Sequence, residues 1–227
     1  MNKKKDISVR IKKLTAIAMF SAMAYVCVYF LRIPVQFLTL DIKDSLIVLC
    51  ALLFGPIAGA VVAIMVPLLE LITISDTGAY GLIMNILSSL SFSVTASVIY
   101  RYKKSMMGAV VGLLSGVFVV TAIMMVANLL ITPYYMGVPT GMVVSLIPKL
   151  LLPFNLIKAV LNASIVLLLY KPLSNLMKRT GFVQVTGQPL AQGQPTSISR
   201  FRSVLITVVS VLLIAGSLAI IFLVLRK

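Results

Sequence analysis

The chain reads as an all-α polytopic membrane protein: a six-helix bundle, then a linker and a seventh, C-terminal transmembrane helix. Three observations predict this. Hydrophobic residues make up 60% of the 227 and charged residues only 11%, with a mean hydropathy of +1.11. A soluble domain carries about 25% charged residues, so this composition suits hydrocarbon better than water. Apolar runs of roughly 20 residues, the length that crosses a bilayer core, recur along the chain. The only two cysteines, Cys27 and Cys50, lie inside such runs and cannot build a disulfide scaffold.

The same composition excludes several chemistries. The chain has no histidine, which removes Ser-His-Asp and Cys-His catalysis, the HExxH zinc site and an imidazole proton relay. It has no GxxxxGK[ST] motif, so ATP hydrolysis by a P-loop belongs to another chain if it is needed.

The first helix is predicted from Leu14 to Leu31, between the basic Lys3–Lys13 tail and Arg32-Ile-Pro34. Its basic start and Ala22-Met-Ala24 imitate a signal peptide. Apolar residues continue past that site to Leu31, so a retained helix is expected. Gly55-Pro56 breaks the next apolar block, because proline withholds a donor and disfavours helix just before it. A short helix over about 43–54 and another over about 56–73 follow. The fourth runs over about 80–100 and ends at Arg101-Tyr-Lys-Lys104. The fifth covers 106–131 and stops before Thr132-Pro133. Residues 132–148, with three prolines and two glycines, read as a structured outer loop. The sixth helix begins near Lys149, reaches Tyr170 and extends at most to Lys178. These elements form a membrane domain over 1–180. Residues 181–202, rich in Gln, Gly, Thr and Pro up to Ser199, read as a flexible cytoplasmic linker. The last unit, 203–227, contains 23 uncharged residues from Ser203 to Leu225, about 34 Å of helix.

Basic residues orient the bundle. With the N-terminus in the cytoplasm, 14 of the 20 Lys and Arg fall inside and five outside, with Lys158 within a helix. The +15 charge is thus a topology signal rather than a nucleic-acid surface, and it puts the C-terminus outside.

Polar residues then outline a site. Asp41, Asp44, Glu70 and Asp76 all fall near the outer face, where loop solvation explains most of them. Glu70 is different: flanking leucines set it at membrane depth, so it needs a cation, Lys43 or Lys149. Asn155 and Lys158 stand three apart and share one helix face. A lysine at mid-helix costs about 2.5–3.5 kcal/mol on insertion scales, so Lys158 either meets a ligand or partner, or snorkels outward. Asn85 and Asn128 add amides, which glue helices together or offer donor and acceptor to a flat heterocycle edge. Together these groups outline an outward-facing pocket for a small, mostly uncharged molecule. Ala18 and Ala22 form a small-xxx-small stripe on the first helix, suited equally to packing within the bundle and to docking another chain.

In order along the chain stand the alanine stripe, Phe37-Leu-Thr-Leu-Asp-Ile-Lys-Asp44, Gly55-Pro-Ile-Ala-Gly59 and Thr77-Gly-Ala-Tyr-Gly81 with Asn85. Ala127-Asn-Leu-Leu-Ile-Thr-Pro-Tyr-Tyr135 and Pro153-Phe-Asn-Leu-Ile-Lys158 complete the series. Over residues 8–180 this pattern resembles the substrate-binding S components of energy-coupling-factor (ECF) vitamin transporters, and most closely their riboflavin-specific branch. The resemblance implies a binding subunit without its own ATPase, capturing riboflavin outside the cell. A transmembrane component and two ATPases then drive uptake, and the S component topples in the membrane to release the vitamin inward. It further implies that Leu38, Thr39 and Leu40 line the loop side, and that Ala79 and Tyr80 help wall the pocket near Asn85. Asn128, Asn155 and Lys158 would bond the isoalloxazine or ribityl group, and Ala18 and Ala22 would face the transmembrane partner. No cofactor or metal is implied, since riboflavin is cargo. An S component for another vitamin or small heterocycle is the alternative. The linker and the seventh helix have no counterpart in this pattern, and a dispensable anchor is their simplest reading.

Overall fold

A computed structural model describes residues 3–179 and 197–225. Helix α1 (Lys3–Leu31) leads into a small antiparallel hairpin, β1 (Ile33–Val35) and β2 (Leu38–Leu40). Ile33 pairs with Leu40 and Val35 with Leu38. The two-residue turn places Gln36 in the left-handed region, at φ 54°. α2 (Lys43–Phe54) and α3 (Pro56–Thr73) follow, joined at Gly55, whose φ of 98° explains why glycine stands there. α4 (Gly78–Tyr102) and α5 (Met106–Met136) form a long antiparallel pair. They pack closely because Gly112 has no side chain: a Cβ there would lie 2.5 Å from the Ala96 carbonyl oxygen.

α6 (Thr140–Leu146), a π-helical turn (Ile147–Leu151) and α7 (Leu152–Arg179) make one nearly continuous segment. α8 (Ser197–Ile220) ends in a second π-turn (Ile221–Leu225) and packs along α7. Among the described residues, six helical segments are long and apolar enough to span a membrane: Arg10–Leu31, Pro56–Thr73, Gly78–Tyr102, Met106–Met136, Thr140–Met177 and Val204–Leu223. The 12-residue α2 is not among them. It is instead the central element, buried from Lys43 to Leu52 among α1, α3, α4 and α7. A helix walled by protein has no need to match bilayer thickness.

Two cores result. The larger joins Phe20, Leu49, Val62, Phe92, Leu113 and Val166. The second joins Val35 and Leu40 of the hairpin to Leu150, Phe154, Leu161 and Ile221, so the end of α8 seals against the hairpin and α7.

Several expectations are corrected. The first helix starts at Lys3, eleven residues earlier than the apolar run, because the basic tail continues it. The outer loop expected over 132–148 is mostly helical. α5 passes through Thr132 and Pro133 and ends only at Gly137, whose left-handed conformation closes the helix by donating to the Pro133 carbonyl. A proline in the last turn withholds one donor without breaking the helix. Of the expected linker, residues 181–196 lie outside the described residues, and 197–202 already belong to α8.

Candidate functional site

The polar residues gather at one end of the bundle. α3 carries Glu70 near its C-terminus, α4 enters with Tyr80 and Asn85, and α5 delivers Asn128 near its far end. The hairpin supplies Leu38 and Thr39, and α7 supplies Asn155 and Lys158. These side chains line a single cavity with about 170 Å³ open to the centre of a water molecule. Phe37, Met84, Met124, Phe154 and Tyr135 provide apolar and aromatic wall, with the Tyr80 and Tyr135 rings 6.3 Å apart.

Beneath the cavity lies an ion network. Lys43, 1% exposed, places Nζ 2.8 Å from Glu70 Oε1 and 2.9 Å from Oε2. Asn85 Nδ2 donates to the same Oε2 at 2.9 Å. Lys158 Nζ donates to Asp41 Oδ2 at 2.7 Å and to the Thr39 carbonyl at 3.3 Å. Asp41 also lies 3.8 Å from Lys43. Burial by itself would push the Asp41 carboxyl up, but Lys158 and then Lys43 outweigh it and hold its pKa below the ordinary value. Asn162 fastens the corner, donating to the Asp41 and Lys158 carbonyls and accepting from the Ser45 amide. Asp44 accepts from Ser89. At the mouth, Arg32 reaches the Ile74 carbonyl at 2.8 Å and Asp76 at 3.0 Å, tying the end of α1 to the α3–α4 loop.

The amides keep capacity for a ligand. Asn155 Nδ2 bonds the Leu151 carbonyl one turn back, while no hydrogen bond among the described residues occupies its Oδ1. Asn128 Nδ2 bonds the Met124 carbonyl, and its Oδ1 accepts from Thr132. Each NH2 retains its second hydrogen.

Seven of the nine expected pocket residues line the cavity: Leu38, Thr39, Tyr80, Asn85, Asn128, Asn155 and Lys158. Leu40 and Ala79 do not. Leu40, next to α2, packs into the second core, and Ala79 is exposed on the first turn of α4. Lys158 does not snorkel; Asp41 holds it. Of the two cations considered for Glu70, Lys43 is the partner, and Lys149 is exposed. Ala18 and Ala22 face outward, while Ala16, Phe20 and Ala24 fill the interior face. Sequence reasoning missed Asp41 and Glu70 as cavity residues and Asn162 as their support. Asn162 stands one turn beyond Lys158, a spacing that already put it on the same face.

A helical membrane protein with its polar side chains gathered around one cavity near the bilayer surface is, by fold and site, an embedded solute binder. The chain belongs to the substrate-specific S components of ECF transporters: the profile described as "ECF transporter, substrate-specific component" matches residues 12–170. It is 33% identical over 184 residues to the riboflavin transporter RibU of Staphylococcus aureus (strain TCH60), covering 74% of this chain and 93% of that one. It is 29% identical over 164 residues to the riboflavin transporter FmnP of Bacillus subtilis (strain 168), covering 66% and 86%. The solved structure of the S component of a bacterial ECF transporter superposes with a TM-score of 0.64 at 33% identity, over 75% of this chain and 99% of that one. The chain is therefore a transporter subunit of the membrane and not an enzyme.

Proposed function

We propose that this S component captures riboflavin from outside the cell and passes it to an ECF transmembrane component driven by two ATPases. The observation that carries the reading is the convergence of Asn128, Asn155 and Lys158, from two helices, on a cavity walled by aromatic and thioether side chains. Isoalloxazine has two apolar faces and a uracil-like edge, and ribityl adds hydroxyls. Amides satisfy both kinds of polar edge, as each offers donors and an acceptor. The names of the two relatives, 33% and 29% identical, support the choice of vitamin.

Lys158 bonds a carbonyl or hydroxyl of the ligand while keeping Asp41 as its counterion. Thr39, Leu38 and Tyr80 close over the bound vitamin. The cavity end faces outward and the N-terminus lies in the cytoplasm, in keeping with the excess of basic residues in the tail and at 101–104. The outward-facing Ala18 and Ala22 let a helix of the transmembrane partner approach closely. The added helix α8 acts as an anchor on α7.

Purification from cells grown with riboflavin tests the vitamin. Flavin absorbance and quenched flavin fluorescence in the folded protein are expected. A folded, colourless protein that leaves riboflavin fluorescence unchanged overturns the assignment, and a different bound heterocycle redirects it.

A further inference from the structure

The bundle has a second cavity at its other end. α3 starts there and runs toward the vitamin cavity, while α4 runs back and ends there. The walls are the α2–α3 corner around Phe54, Gly55 and Pro56, together with Ser97 and Tyr100 of α4. Three cations, Lys13, Arg101 and Lys104, complete the lining, and about 340 Å³ is open to the centre of a water molecule. Among the described residues, no acidic side chain lines this cavity. With the described residues, none of the three cations makes an ion pair or side-chain hydrogen bond there.

We propose that this cavity binds the phosphate-bearing headgroup of an anionic phospholipid. Three like charges brought to one concave site repel one another, and an anion relieves that repulsion. Tail, α4 end and α2–α3 corner come from distant parts of the sequence, so positive charge placed only to orient the chain would not require them to converge. Neighbouring Lys103 belongs to the same basic run yet lies off the cavity. Lys13, Pro56 and Arg101 sit near the ends of apolar spans, which is headgroup depth. The backbone N–H groups of the first turn of α3 open at the same corner and add to the attraction for phosphate. Apolar surface beside the cavity, including exposed Ile57, would lie along the acyl chains. A basic recess between helices at this depth matches the way membrane proteins hold anionic headgroups.

The test uses the full chain in neutral detergent, with thermal unfolding followed against added phosphatidylglycerol or phosphatidylcholine. Phosphatidylglycerol is expected to raise the midpoint in a saturable way, and phosphatidylcholine to leave it nearly unchanged. Lys13→Ala, Arg101→Ala and Lys104→Ala combined should weaken apparent phosphatidylglycerol affinity by roughly tenfold or more. Arg10→Ala, Lys103→Ala and Arg179→Ala remove equal charge off the cavity and should keep the shift. Equal loss in both triple variants, or loss in neither, overturns the proposal. So does inorganic phosphate reproducing the full shift in phosphatidylcholine, which would make the free anion the ligand. Should the cavity triple variant fail to fold, Arg101→Gln and Lys104→Gln singly serve instead, and an unchanged shift in both overturns it.

Discussion

The two ends of the bundle handle charge in opposite ways. At the cavity proposed for the vitamin, Lys43, Lys158 and Arg32 each have a carboxylate partner, at 2.8, 2.7 and 3.0 Å. At the other end Lys13, Arg101 and Lys104 converge, and among the described residues no acid lines their cavity. The first arrangement keeps a polar pocket close to neutral, which suits an uncharged solute whose recognition falls to amides. The second keeps a field that invites an anion. The lesson is that +15 of net charge is not spread evenly: the acids of the described core are spent on one site.

The largest effect that would break this contrast comes from Lys43. Lys43→Ala leaves Glu70 without its cation in a buried place, and losing one partner of such a pair costs about 3–5 kcal/mol. A steep fall in the thermal midpoint and in folded yield is expected. Unchanged unfolding would mean that the network does not hold the site together. Asp41→Asn comes next. It releases Lys158 from its charged partner, and riboflavin affinity in a fluorescence titration should drop by about tenfold or more, a loss of the size expected for a charged hydrogen bond. Wild-type affinity would show that Lys158 needs no carboxylate to be placed.

Ala18→Leu sharpens the comparison from outside. Binding by the purified protein should stay within about twofold, while riboflavin uptake by cells carrying the whole transporter falls, since a bulky side chain keeps a partner helix away. Weakened binding with normal uptake would make the stripe part of the internal packing. Ending the chain after Arg179 is the smallest expected effect. It uncovers Leu150, Leu161 and Phe154 from α8, and should lower the thermal midpoint slightly with binding retained. Loss of binding would make α8 part of the site rather than an anchor.

Much of the fold was legible because hydrocarbon imposes a length and Gly-Pro imposes a break. The α2–α3 corner falls where Gly55-Pro56 puts it, and α2 runs over the very residues proposed. Proline was over-read at Pro133, where the last helical turn absorbs it and Gly137 sets the true end. The hairpin was missed because Ile33–Leu40 holds only three residues per strand, too few for alternation to declare itself. For the site, a charge at membrane depth was the strongest signal. Glu70 demanded a cation and received Lys43, and Lys158 proved to be held rather than snorkelled. Leu40 and Ala79 were misplaced because a resemblance assigns a segment to a pocket, while tertiary packing decides which of its side chains enter: Leu40 is taken up by the second core and Ala79 is left exposed. The Asp41–Lys158 pair joins residues 117 apart in the chain, and no local spacing reveals such a contact.

The central claim is that Asn128, Asn155 and Lys158 grip one ligand. Equilibrium titration of riboflavin against the wild type and the three single alanine variants, each shown to be folded and monodisperse, tests it directly. The account predicts saturable one-to-one quenching by the wild type, and affinity weakened in every variant, by about 3–10-fold for each amide and more for Lys158. Wild-type affinity in all three would contradict it.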